Sequence, residues 1–287
     1  MKNRIGILIF FLLIILDIFI WSQLLSVRAV RPGDYFLDVG QGDSELTVFP
    51  DGARILIDGG PSPAVVGALE KIFRVGDRYL DLVINSHPQL DHFAGLSTVF
   101  DSFEVGAFLT NGRDDSPNVA EWGALIQKAQ TNHVPMFALA RSDTIKNGSS
   151  TIKILSPDLA VAQSAELNDT GIVALAEMPG LRTLFTADIG SNIEQYLITQ
   201  KNDLHADVLK VAHHGSKYSS SDAFLRAVNP RIVAIEVGAK NTYGHPTPQT
   251  LARIASGTHA QVFRTDQNGT IAVFSENGKL KVITEKF

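Results

Sequence analysis

From Asp81 to Gly95 the chain reads Asp-Leu-Val-Ile-Asn-Ser-His-Pro-Gln-Leu-Asp-His-Phe-Ala-Gly, placing three strong metal-ligand types, His87, Asp91 and His92, within six residues. The run Leu82 to Ile84 has the character of a short buried strand. Pro88 cannot donate to a ladder, so the strand must give way to a loop there, and Phe93-Ala94-Gly95-Leu96 opens a helix. A strand-to-helix loop can aim all three side chains at one point, which a regular strand or helix could not do at this spacing. Imidazole with carboxylate suits zinc or manganese. An aspartate capping a helix beside two surface histidines would give the same letters, so the rest of the chain decides.

Five further segments bear on it: Leu37-Asp-Val-Gly-Gln-Gly-Asp-Ser44, Leu56-Ile-Asp-Gly-Gly60, Leu184-Phe-Thr-Ala-Asp188, Asp207-Val-Leu-Lys-Val-Ala-His-His-Gly-Ser216 and Asn241-Thr-Tyr-Gly-His-Pro246. With Ser86 to Gly95 they resemble, in order, the motifs of the metallo-β-lactamase fold, whose signature is His-x-His-x-Asp-His. In particular they resemble the hydrolase-like domain of ComEC-type DNA-uptake proteins. The resemblance covers about residues 35–275. It implies an αββα sandwich, a divalent metal cofactor and DNA as the substrate.

Carried over residue by residue, the resemblance implies a first metal site at His87 and position 89. It implies a second at Asp91 and His92, with Asp188 bridging the two. His213 is the expected closing ligand, with His214 the runner-up; whichever is not a ligand faces the scissile group. Lys210, Ser216, Asn241 and His245 are candidate phosphate or leaving-group contacts, Lys210 as a point charge and His245 as a proton donor. The catalytic set expected is thus Asp91, Lys210, His214 and His245. Asp38, Asp43 and Asp58 end strands and would orient ligand histidines. Four positions depart from the general pattern: Gln89 for His (ComEC-type proteins often carry Asp), Asn168 near the place of the third His (Asn also in the ComEC-type pattern), Gly171 for Ser and Ala187 for Gly. The first site therefore holds its ion weakly, and one or two ions are expected. A single ion at Asp91, His92, Asp188 and His213 could still polarise a phosphoryl oxygen and lower the pKa of a bound water.

The elements that must position these residues fall into two halves. Strands at Tyr35–Val39, Glu45–Phe49 and Arg54–Ile57 precede a helix at 64–74, the opening motif, and a helix from Pro117 to Gln130. A hairpin is expected around Asn147-Gly148. From Ile172 the order repeats, with strands at 172–177, 182–186, 206–212 and 231–237, helices near 190–200, 221–228 and 247–255, and three closing strands to Thr284. Strands first and helices after, twice over, predict two packed sheets with helices outside.

The stretch Ile5 to Trp21 is apolar except for Gly6 and Asp17, at the lower length limit for a membrane span. Residues 1–30 are expected to be an uncleaved anchor, although Val27-Arg28-Ala29 would pass as a cleavage site. Residues 31–287 form the hydrolase domain. Lys2 and Arg4 against Arg28 and Arg31 favour the body outside. Asp and Glu outnumber Lys and Arg, 30 to 25, and three of those cations lie in the first thirty residues, which argues against sequence-blind clamping of nucleic acid. With no cysteine, disulfides and thiolate ligands are excluded.

The expected function is a membrane-anchored metal-dependent phosphodiesterase or nuclease acting on DNA, with separate DNA-channel proteins as possible partners. The alternatives are a cell-envelope phosphodiesterase, such as a phosphorylcholine esterase, and a binding module whose metal site has decayed.

Overall fold

The computed structural model describes residues 2–26, 30–114 and 118–286. The candidate cleavage site at 27–29 and Pro117 lie outside the described residues. The first element is a helix, α1 (Lys2–Ser26), whose described side chains from Ile9 to Phe19 are all exposed. Among the described residues no helix is long and apolar enough to cross a membrane.

Eight strands make the first sheet. Six come from the N-terminal half: β1 (Gly33–Phe36), β2 (Glu45–Val48), β3 (Arg54–Ile57), β4 (Tyr79–Asn85), β5 (Glu104–Thr110) and β6 (Met136–Ala138). Seven make the second: β7 (Thr144–Asn147), β8 (Ser150–Ser156), β9 (Val173–Met178), β10 (Leu181–Phe185), β11 (Val208–Lys210), β12 (Ile232–Ile235) and β13 (Gln261–Arg264). The chain then returns to the first sheet as β14 (Ile271–Glu276) and β15 (Lys279–Thr284), with β14 against β1. In each sheet an antiparallel meander passes into parallel strands, β3 to β6 in one and β10 to β13 in the other. The repeat expected from Ile172 thus begins earlier, at the Asn147-Gly148 hairpin, which forms as its turn residues require.

Parallel crossovers need helices, and these cover the outer faces. Over the first sheet lie α2 (Ala64–Ile72), the one-turn α3 (Leu90–Phe93), α4 (Leu96–Ser102) and α5 (Val119–Thr131). Over the second lie α6 (Ser191–Thr199), α7 (Asp222–Val228) and α8 (Pro248–Gly257), with a single turn, α9 (Thr265–Asn268), before β14. Helix α5 buries Trp122, Leu125 and Ala129, one stripe at helical spacing. The central strands therefore face a core on both sides, while the edge strands β6, β7, β13 and β15 keep exposed residues. In β3, Leu56 belongs to the cluster that holds Val65 and Leu69 of the outer layer, while Ile55 and Ile57 belong to the one that holds the second sheet's Ile152 and Ala174. On the other outer face Leu209 and Val233 pack with Leu197 and Phe224. Phe36 and Phe185 join the sheets across the middle, ring centres 6.1 Å apart. Burying each such side chain stabilises by roughly 1.5–3 kcal/mol. The architecture is the αββα sandwich the residue pattern implies.

Several strands stop short of their expected ends: β11 at Lys210 rather than 212, β12 at Ile235 rather than 237. The missing residues leave the ladder to form the site, which sits beyond the carboxyl ends of parallel strands from both sheets, where such sheets open a crevice.

Candidate metal centre

Asp58 follows β3 with φ at 54°. Its carboxylate accepts from Asn85 Nδ2 (3.0 Å), Ser86 N (2.7 Å), Ser86 Oγ (2.6 Å) and His92 Nδ1 (2.7 Å). Held in this way, His92 keeps its proton on Nδ1 and turns Nε2 inward, 3.4 Å from Asp188 Oδ2 and 4.0 Å from Asp91 Oδ1. His214 is set alike: Nδ1 donates to the Glu236 carbonyl (2.9 Å). Its Nε2 lies 3.4 Å from Asp91 Oδ2 and 3.5 Å from Asp188 Oδ2. One ligand atom from each of Asp91, His92, Asp188 and His214 falls within 4.8 Å of all the others.

This arrangement fits a divalent cation. His92 Nε2 and His214 Nε2, both aimed at Asp188 Oδ2, are buried without a hydrogen-bond partner, as is His87 Nε2 beside them. Orphaned buried acceptors facing one another are costly in a protein and are what a metal ion satisfies. The electrostatics agree. Burial works to lower His214 and His92, but Asp188 and its neighbouring carboxylates outweigh it, pushing His214 to about 10 and His92 well above its ordinary value. Burial works to raise Asp91, and the charges of His92 and His214 overcome it to hold the carboxyl at about 2. The metal-free site thus gathers protons where a cation would sit.

Of the paired histidines it is His214, not the expected His213, whose ring joins Asp91, His92 and Asp188. Strand alternation beyond β11 is broken because His213 (φ 52°), His214 (φ 52°) and Gly215 (φ 85°) are successively left-handed. That turn swings the buried His214 ring inward and leaves His213 on the cleft wall, 34% exposed, with Nε2 3.8 Å from Asp188 Oδ2. Two adjacent left-handed non-glycine residues are a costly conformation that the surroundings must enforce. Ala187, just before Asp188, is left-handed too.

Beneath the centre, Lys210 is fully buried. It is ion-paired with Asp43, donates to the Ala187 carbonyl (2.9 Å) and stands 3.9 Å from Asp188 Oδ1. It does not reach the cleft, so the expected phosphate contact is replaced by a role behind the ligands. Asp43 also approaches His214 Nδ1 at 3.2 Å. A side chain at Gly42 would strike the Asp91 carbonyl, to which Asp43 N donates at 3.1 Å, so the glycine lets these two loops meet. Asp43 and Asp58 stand where expected, whereas Asp38 does not. It turns to the surface and pairs with Lys286 at 2.7 Å.

Over the centre opens a cleft of about 370 Å³ whose walls include Gln41, Gln89, His213, Tyr243 and His245. Gln89 donates to Asn168 Oδ1 at 2.5 Å, so the two departures from the general pattern face each other beside His87 as an amide pair. His245 reaches the cleft, pushed below its ordinary value by burial and by His213 and His214. Asn241 lies away from it and instead holds the loop, through Gly238 O, His245 O and His245 N. Ser216 is buried, its Oγ accepting from Tyr218 N. Neither is placed to touch a substrate.

Sequence reasoning missed Gln41 and Tyr243, although both lie inside recognised motifs. It also missed Glu45 and Glu236, buried against each other under Lys210, both pushed well above the ordinary range by burial first. A glutamate at an inward strand position was the available signal for Glu45.

A fold of two sheets in an αββα sandwich, with histidines and aspartates gathered at the strand ends, defines a class, and the chain matches the metallo-beta-lactamase superfamily over residues 38–235. It belongs to that superfamily. Within it, the chain is similar to ComE operon protein 3 of Bacillus subtilis, at 28% identity over 82% of this chain and 32% of that protein. It is also similar to Recombination protein 2 of Haemophilus influenzae, at 30% identity over 76% of this chain and 26% of that protein. The resemblance to ComEC-type proteins is thereby borne out, and the chain spans about a third or less of the length of these relatives. Among solved structures, the metallo-beta-lactamase fold protein YhfI of Bacillus subtilis aligns over 88% of this chain and 99% of its own, with TM-score 0.54 and 14% identity. CmlA, a diiron β-hydroxylase of Streptomyces venezuelae, aligns over 81% of this chain and 53% of its own, with TM-score 0.50 and 14% identity. Both show the fold alone.

Proposed function

We propose that this chain is the catalytic body of a metal-dependent phosphodiesterase that acts on DNA, anchored to a membrane by its first helix. The observation that carries the reading is the set Asp91, His92, Asp188 and His214, with unpartnered ligand atoms converging at the floor of an open cleft. A divalent ion held there, zinc or manganese, supplies Lewis acidity and an activated water for attack on a phosphodiester. Asp58 and the Glu236 carbonyl fix the two imidazoles in the tautomer that presents Nε2. Lys210 balances Asp43 and Asp188 from below, and His213 and His245, which line the cleft, would hydrogen-bond the leaving oxygen. Asp91 is both ligand and a lip of the cleft. His87 with Gln89 makes a second, weaker position, so one ion is held well.

DNA is favoured because the relatives named above include ComE operon protein 3 and a recombination protein. The anchor is proposed from the apolar run Ile5 to Trp21, at the lower length limit for a span, and from the exposed apolar side chains Ile9 to Phe19 along that helix. The charge bias favours a body, residues 31–287, on the extracytoplasmic side, where DNA-channel proteins would be its partners. The test is hydrolysis of single-stranded DNA and of a small chromogenic phosphodiester by the full chain in detergent, stripped of metal and then given manganese or zinc. The reading expects DNA cleavage only with metal restored. Cleavage of the small ester alone would move the substrate to an envelope phosphodiester, and cleavage of neither would leave a binding module.

A further inference from the structure

Tyr243 is 70% exposed and lines the same cleft as Asp91 and His214. Its ring lies near-parallel to that of His245, at 12° and 6.0 Å between centres, and most of its surface is open to solvent. Exposure here does not mean looseness. Asn241 ties the loop with three hydrogen bonds, Gly238 N donates to Gln41 Oε1 (3.1 Å), and Thr247 N donates to the Gly215 carbonyl (2.9 Å). The loop that follows the paired histidines presents a second such ring, Tyr218, 69% exposed with the Lys217 ammonium 5.0 Å from its centre. Lys217 and Lys240 are exposed cations on these two loops. In a chain of net charge −5, phosphate neutralisation alone holds a polyanion poorly.

We infer that Tyr243 is a stacking platform that takes a nucleobase next to the scissile phosphate, so that the site selects single-stranded nucleic acid. The inference rests on the phosphodiesterase reading and names its substrate's decisive feature. An exposed aromatic face beside a groove with a few cations is how single strands are held without regard to sequence, because every base has a π-face. A duplex keeps those faces stacked inside, and a small aliphatic phosphodiester has none.

The experiment measures binding by fluorescence anisotropy, on the full chain in detergent with a chelator present. Two labelled single strands of about twelve nucleotides are compared, one of thymidines and one of abasic sites with the same phosphates. The wild type binds the thymidine strand about tenfold or more tighter than the abasic one. Tyr243→Phe keeps that preference and Tyr243→Ala brings it close to one. A wild type that does not distinguish the strands, or a Tyr243→Ala variant that still does, overturns the inference. Metal-restored hydrolysis by the wild type separates the two readings. If DNA is cut while base preference is absent or independent of Tyr243, the platform alone fails. If nothing is cut, the hydrolase reading fails whatever Tyr243 does.

Discussion

Two departures from the family pattern, Gly171 for Ser and Ala187 for Gly, are one exchange of a side-chain atom across a contact. Gly171 closes the single helical turn Leu167–Thr170 with φ −56° and ψ 136°, a conformation open to any residue. A Cβ built there would stand 3.0 Å from Ala187 Cβ, 3.2 Å from the Asn168 carbonyl and 3.8 Å from Asp188 N. Carbon atoms prefer about 3.5–4.0 Å, so Gly171→Ser alone overpacks the site and destabilises by about 1–3 kcal/mol. It also displaces the residue before Asp188, so metal affinity falls with stability. Ala187→Gly alone changes little. It loses a buried methyl, worth about 0.8 kcal/mol, and adds glycine's backbone entropy of about 0.5–1 kcal/mol. Against these it relieves a left-handed alanine at φ 43°, worth about 1–2 kcal/mol. The double variant removes the clash, so the four proteins form a cycle with a coupling energy of about 1–3 kcal/mol. Urea unfolding of all four without metal, followed by metal titration, measures it. Single effects that add to within about 0.5 kcal/mol would show that these positions do not share one space, and the reasoning would be refuted.

Four more outcomes are expected. Asp58→Asn, which replaces the acceptor of His92 Nδ1, weakens metal binding about 10–100-fold in a competition titration against a chromophoric chelator, while Asp38→Asn does not. Because His92 and His214 carry protons in the metal-free protein at pH 7, metal uptake releases about two protons, and apparent affinity climbs with pH toward about 10, as calorimetry in buffers of different ionisation enthalpy would register. The same raised values stabilise the metal-free fold fully below the unfolded value near 6.5. That contribution is lost as pH rises through about 10, so its melting temperature falls between pH 7 and pH 9. Finally, Gln89→His breaks the amide pair with Asn168 and supplies an imidazole beside His87, so a second ion binds at lower concentration than in the wild type; an unchanged second-ion titration would place Gln89 outside any site.

The layered fold was legible because strands buried on both faces read as continuous apolar runs and the Asn147-Gly148 turn declares its hairpin. The convergence of Asp91, His92 and Asp188 was legible because each directly follows a strand or its loop. The choice between His213 and His214 was not. It depends on three consecutive left-handed residues, and of these only Gly215 announces that conformation in the sequence. Lys210 misled for the opposite reason. A lysine beside a motif reads as solvated or substrate-facing, and only the carboxylates of Asp43 and Asp188, brought from 167 and 22 positions away in the chain, make its full burial tolerable. Asp38 resembled its neighbour Asp43 in composition and position, yet β1 ends two residues before it and turns its side chain outward to Lys286.

The central claim is that Asp91, His92, Asp188 and His214 hold a divalent ion, with His213 outside the set. Equilibrium dialysis against zinc or manganese followed by elemental analysis tests it on four proteins: wild type, Asp188→Asn, His214→Ala and His213→Ala. The account predicts about one tightly held ion in the wild type and in His213→Ala, and its loss from Asp188→Asn and His214→Ala. A wild type that takes up no ion, or a His213→Ala variant that loses it while His214→Ala keeps it, would contradict the account.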